Sequence, residues 1–196
     1  MHRIVLLACG LPALYLVWAL WETFGAMRTG PPPLGANPVE ALERDTGIWA
    51  LRFLVASLAV TPLRRLGWRT LAPYRRTLGL TAFFYACLHV TTFVALDLGF
   101  DLGAVAEDVT KRPYIMVGFA AFCILFLLAI TSPRAAMKRL GRHWTTLHRG
   151  IYVAAICAVV HFTWLVKADY REPLVYGAIV AILLIARVRA RRKPAG

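Results

Sequence analysis

Apolar residues fall into six runs, roughly 4–24, 47–66, 77–97, 113–131, 146–166 and 173–188, separated by short segments rich in Arg, Pro, Gly or Asp. A helix needs about 20 apolar residues to cross the hydrocarbon core of a bilayer, so the pattern predicts an all-α polytopic membrane protein. It reads as a six-helix transmembrane bundle forming a single domain over 1–196, without internal repeats or low-complexity tracts. The first run follows a short basic start at Arg3, as a secretory signal would. It is long, however, and no A-x-A pattern precedes GAMRTGPPP, so it reads as a retained helix. The prolines of TGPPPLGANP (29–38) predict a rigid linker. After it, Asn37 is expected to cap, and Pro38 to open, a short helix ending near Gly47.

Composition agrees: 59% of the 196 residues are hydrophobic and 17% charged. The net charge of +13 would suit nucleic acid if it were spread over one surface, but it is segregated by loop. Fifteen basic residues lie at one side: Arg3, a cluster from Arg64 to Arg76, another from Arg134 to Arg142, and the tail from Arg187 to Lys193. The other loops hold six, and all ten acidic residues fall there. By the positive-inside rule both termini face the cytoplasm, and the basic excess is a topology signal rather than a nucleic-acid footprint. The stretches 64–76 and 133–145 mix Arg and Lys with Leu and Trp, which suits an anionic lipid surface; docking of an acidic cytosolic partner is the alternative.

Cys9, Cys87, Cys123 and Cys157 are scattered singly, with no CxxC or CxxCH, and read as small buried hydrophobes. No GxGxxG follows a strand pattern, so a nicotinamide-binding module is not expected within this chain.

Three of the five histidines fall within apolar runs: His89 in the third, His148 and His161 in the fifth. Ionisable groups at such depth are costly and mark function. Thirteen residues of helix rise about 20 Å, placing His148 near the inner edge and His161 near the outer one. The third and fifth runs travel in the same direction, so His89 reaches a depth within about a turn of His161. Two imidazoles at one depth suit bis-histidine ligation of a haem iron, whereas a lone one would more often make an interhelical hydrogen bond. Thirteen steps also leave His161 about 140° around the helix from His148, so either two haem sites are offset or the helix bends. Arg52, near the outer end of the second run, can pair with a haem propionate or snorkel to the headgroups. His143 and His2 read as surface residues, and Trp144, Tyr152 and Trp164 as anchors and packing.

The stretches RRTLGLTAFFYACLH (75–89), KRPYIMVG (111–118), ITSP (130–133), LGRHWTTLHRGIYV (140–153) and HFTWLVKAD (161–169) resemble the MsrQ family over about 45–190. These are haem-binding membrane subunits of the periplasmic protein-methionine-sulfoxide reductase system, in the ferric-reductase transmembrane superfamily. The resemblance implies a cytochrome b with one or two b haems, and His89, His148 and His161 match the family's haem histidines. It also implies a bacterial inner-membrane location, a periplasmic molybdopterin reductase as partner and flavin mononucleotide (FMN) as a further cofactor, for which no phosphate-cradling motif is visible; with no dehydrogenase module expected in this chain, quinol or a cytosolic flavin reductase is the expected donor. Where the larger oxidases of the superfamily carry a second histidine on the third helix, this chain reads Tyr74, Arg75, Arg76, and arginine does not ligate iron. Two rival readings are a stand-alone ferric reductase or superoxide source, and a non-redox transporter or assembly factor.

Overall fold

The computed structural model describes residues 2–25 and 31–192, with side chains for 5–25 and 31–189. His2, Arg3, Arg28 and the end of the basic tail therefore contribute no side-chain facts. Nine α-helices are described: α1 (His2–Phe24), α2 (Pro38–Arg65), α3 (Tyr74–Thr92), α4 (Leu102–Lys111), α5 (Pro113–Ile130), α6 (Arg134–Leu140), α7 (Arg142–Leu147), α8 (Gly150–Leu165) and α9 (Arg171–Arg192). Among the described residues there is no strand. The fold is that of an all-α polytopic membrane protein. Five segments are long and apolar enough to cross a bilayer: Val5–Phe24, Pro38–Arg65, Tyr74–Asp97, Pro113–Ile130 and Arg142–Leu165. The sixth expected run, 173–188, lies within the 22 residues of α9. Large apolar side chains such as Leu7, Trp21 and Ile182 stand exposed around the bundle, as they do when the surrounding solvent is lipid.

The expected stop near Gly47 is not there. Asn37 does cap, its side-chain oxygen accepting from the Glu40 N–H at 3.3 Å with Pro38 at the first turn, but the helix then runs unbroken to Arg65. Gly47 sits inside it because the ring of His89 lies against its Cα face, where a Cβ would come within 3.2 Å. A glycine that looked like a helix terminator is a point of close approach.

The fifth apolar run departs from expectation in the opposite sense. It is two helices, α7 and α8, joined by a turn at His148 and Arg149. The Trp144 indole stacks on the His148 ring with centroids 4.0 Å apart, and its Nε1 donates to the Thr131 carbonyl at 2.9 Å. These contacts turn the chain at the end of the bundle that carries the basic loops. Gly141, at φ 50°, supplies the left-handed backbone between α6 and α7.

Helices α2 with α3 and α5 with α8 form the two most extensive pairs. Between them lies a cluster including Leu54, Leu58, Ala82, Leu125, Leu128, Ile151, Ala154 and Val180. Ala82, Ala154 and Ala155 are fully buried, and such small residues let helix backbones approach closely where lipid offers no hydrophobic drive to associate. Tyr85, also fully buried, ties α3 to α1. Its hydroxyl donates to the Cys9 carbonyl at 3.0 Å and accepts from the Ala13 N–H at 2.8 Å, inserting itself into one rung of the α1 ladder next to Pro12. The cysteines are unpaired, and only Cys9 is buried.

Ala154→Leu should overpack this contact and cost about 1–3 kcal/mol. The expected result is a lowered unfolding midpoint in detergent, while Val153→Leu, on the neighbouring half-exposed position, leaves the midpoint unchanged.

Candidate functional site

Two helix pairs each deliver one histidine to the end of the bundle that carries the acidic residues. His89 comes from the last turns of α3 and His161 from those of α8, and their rings face each other with centroids 6.2 Å apart and planes crossed at 74°. Each ring is held through Nδ1. His89 Nδ1 lies 2.9 Å from the Glu43 main-chain oxygen on α2, and His161 Nδ1 lies 2.7 Å from that of Tyr114 on α5. A carbonyl only accepts, so both Nδ1 atoms carry the proton and both Nε2 atoms keep a free lone pair.

In both cases the residue four positions beyond the carbonyl is glycine. Gly47 packs under the His89 ring and Gly118 under that of His161, where a Cβ would stand 2.6 Å from Nδ1. The first turn of α5, which supplies the Tyr114 carbonyl, is anchored by Arg112, whose guanidinium pairs with Asp108 at 3.1 Å. Hydrogen bonding to the Tyr114 side chain, then the charge of Asp108, raise the Arg112 pKa above its already high ordinary value.

The arrangement fits a haem. An imidazole nitrogen binds a transition metal at about 2 Å, and the ring centre lies roughly 1 Å behind it, so two axial ligands on one iron have centroids about 6 Å apart. Among the described residues no group of three or more His, Cys, Asp or Glu could hold a bare metal ion. A porphyrin supplies four of iron's six ligands and asks only two of the protein. Aromatic Trp49, Phe53 and Tyr85 pack beside α2 and α3 in the same region, with Phe53 and Tyr85 stacked at 5.3 Å.

The structure does not bring His148 to this pair. It lies toward the basic end, with Nδ1 3.2 Å from the Trp144 carbonyl and Nε2 buried and without a partner. That Nε2 belongs to a residue lining a cavity of about 450 Å³. The same cavity is lined by Arg65, Arg75, Arg76, Arg149 and Arg187, and by no carboxylate. His143 is exposed. Arg52 is also exposed, its Nε donating to the Tyr176 hydroxyl at 3.0 Å and its guanidinium 4.6 Å from the Trp49 ring centre.

Arg187 lies at the basic side as its charge predicts, but it is 8% exposed and turned into the bundle rather than out with the tail. Its guanidinium donates to the Tyr152 hydroxyl and, at 3.1 Å, to the Leu58 carbonyl, lies over the Tyr152 ring, and leaves Nε buried and unpaired. The signal was present in the sequence, since Arg187 falls inside the apolar run 173–188, where an arginine marks a buried partner or a ligand. Tyr152, expected as packing, is its partner.

Residues 46–159 match the family described as ferric reductase like transmembrane component. The chain is 51% identical over 167 residues to the protein-methionine-sulfoxide reductase heme-binding subunit MsrQ of Herminiimonas arsenicoxydans, covering 83% of this chain and 77% of that protein. It is 48% identical over 174 residues to the MsrQ of Xanthomonas oryzae pv. oryzae, covering 88% and 78% of the two chains. The MsrQ of Azospira oryzae is 48% identical over 184 residues, covering 92% and 75%. With this extent of identity over transmembrane helices that converge two imidazoles, the chain belongs to the MsrQ family, within the ferric reductase-like transmembrane proteins.

Proposed function

We propose that this protein is an inner-membrane cytochrome b that carries electrons across the bilayer to a periplasmic molybdopterin methionine-sulfoxide reductase. The observation that carries the reading is the facing of His89 and His161 at 6.2 Å, each with Nδ1 committed to a main-chain carbonyl. A b-type haem held there supplies a one-electron relay inside the low-dielectric core. His89 and His161 ligate it through Nε2 from two separate helix pairs, and the surrounding apolar helices exclude water from the metal. Arg52, at the same end of α2, suits a propionate as a fixed cationic fork.

Electrons are taken up at the basic end, from quinol or a cytosolic flavin reductase. The cavity there suits an anionic redox group, either a second haem or FMN: five arginines line it without a carboxylate, and His148 is among its lining residues. The loop charges orient this end toward the cytoplasm, with both termini inside.

A dithionite-reduced spectrum of the purified protein should show a haem α-band, and its absence would remove every redox reading. His89→Ala and His161→Ala should each abolish the outer low-spin haem and stop reduction of the periplasmic partner, while membrane levels stay near wild type. The lost imidazole–carbonyl bond costs only about 1 kcal/mol and the span becomes more apolar. His148→Ala should keep the outer signal and slow electron uptake. Retention of the full low-spin spectrum in both His89→Ala and His161→Ala would leave those rings as mere helix tethers.

A reporter active only outside the cytoplasm should work when fused near Ala104 and be silent near Lys138; the reverse would invert the direction of electron flow. Purified protein given NADPH alone should stay oxidised and become reduced once a flavin reductase or a quinol is added.

A further inference from the structure

The two histidine clamps are built alike although the sequence shows no repeat. In each, the histidine lies on the later helix of a pair, 46 residues beyond its carbonyl partner in one case and 47 in the other. In each, a glycine four residues after that carbonyl lies directly under the imidazole. In an α-helix the N–H of residue i+4 points at the carbonyl of residue i, so a side chain at i+4 stands beside that oxygen. Removing the side chain opens a lateral approach by which a neighbouring ring can reach it. The margins differ: a Cβ at 118 would meet His161 Nδ1, Cε1 and Cγ at 2.6, 2.9 and 3.0 Å, closer than real contacts allow. At 47 it would meet the His89 ring at 3.2 Å, a distance a small shift relieves. Other described helical glycines do not lie under an imidazole: a Cβ would meet Asp101 at 3.1 Å from Gly103, Ile124 at 3.3 Å from Gly150, and Ser57 at an ordinary 3.5 Å from Gly79.

We propose that Gly47 and Gly118 are the positioning residues of the outer haem site. By admitting each imidazole to a main-chain carbonyl, they fix its Nδ1–H tautomer, aim Nε2 at the metal and cross the two ring planes near a right angle. The inference rests on the proposed bis-histidine haem. Two consequences follow from the chemistry. A ring that donates through Nδ1 is a more basic ligand through Nε2, which favours ferric iron and lowers the reduction potential. Near-perpendicular imidazoles donate equally into the two iron d orbitals that a parallel pair would split. The low-spin ferric centre then shows a large maximum g in electron paramagnetic resonance.

The test uses the full-length, haem-loaded protein in detergent, comparing wild type with Gly118→Ala, Gly47→Ala and Gly79→Ala by redox titration and electron paramagnetic resonance. Gly118→Ala is expected to lower the ferric-to-ferrous ratio at a fixed potential about tenfold, an upward shift of about 59 mV for a one-electron couple, and to move the maximum g. Gly47→Ala should change both in the same direction by less, and Gly79→Ala should change neither. A haem-loaded Gly118→Ala with wild-type potential and g values would overturn the proposal, as would an equal shift in Gly79→Ala. If Gly118→Ala fails to accumulate or to hold haem, Gly47→Ala decides: a shift in the expected direction supports the proposal and an unchanged centre overturns it. Absence of haem from the wild type would instead sink the underlying reading of the site.

Discussion

An imidazole inside a bilayer must have one nitrogen satisfied by protein, since lipid offers no partner, and whatever satisfies it decides what the other nitrogen can do. In this bundle the partner is a main-chain carbonyl on the adjacent helix, at 2.9 Å for His89 and 2.7 Å for His161. That choice has structural as well as chemical force. It binds α3 to α2 and α8 to α5 at their far ends, so the two most extensive helix pairs are also the two clamps. The alanines buried near the centre of the bundle bring backbones close, and the clamps set the register at which they meet. Tyr85 repeats the theme on a third side by inserting its hydroxyl into a rung of α1.

The two ends of the molecule are chemically unlike. At one, two imidazoles face each other beneath loops that hold the acidic residues, much of whose charge is engaged locally, as in Arg44 with Glu172 and Lys111 with Glu107. At the other, a cavity is surrounded by guanidinium groups without a carboxylate among its lining residues. Arg187 shows the cost of that arrangement most plainly, since it is buried with its Nε unsatisfied and leans on a phenol ring and one carbonyl. Uncompensated buried charge is destabilising unless an anion completes it, so the cavity is electrostatically suited to an anionic group.

Much of the fold was legible because membrane helices announce themselves by length and apolarity, quantities a sequence carries directly. The meeting of His89 and His161 was legible in one coordinate only. Helical rise gave their shared depth, but the face each ring occupies depends on neighbours 46 or 47 residues away. Gly47 misled for a related reason: the same residue type that ends helices also admits a neighbour, and only the position of His89 distinguishes the two. The turn at His148 had no strong local signal, since a tryptophan stacked one helical turn earlier produces it. The charge of Arg187 groups it with the basic tail while its place within an apolar run sets it inside the bundle, and its partners, Tyr152 and Leu58, lie far off in sequence.

The separation of α7 from α8 places His148 and His161 on different levers. His161 is joined to the first turn of α5 through the Tyr114 carbonyl, whereas His148 sits in the turn after the six-residue helix α7, whose Trp144 is hydrogen-bonded to the other end of α5 at Thr131. Both imidazoles are thus referenced to the same 18-residue helix, one at each of its ends. Helix α5 is therefore a common strut between the two ends, and its tilt sets the distance from the facing imidazoles to the arginine-lined cavity.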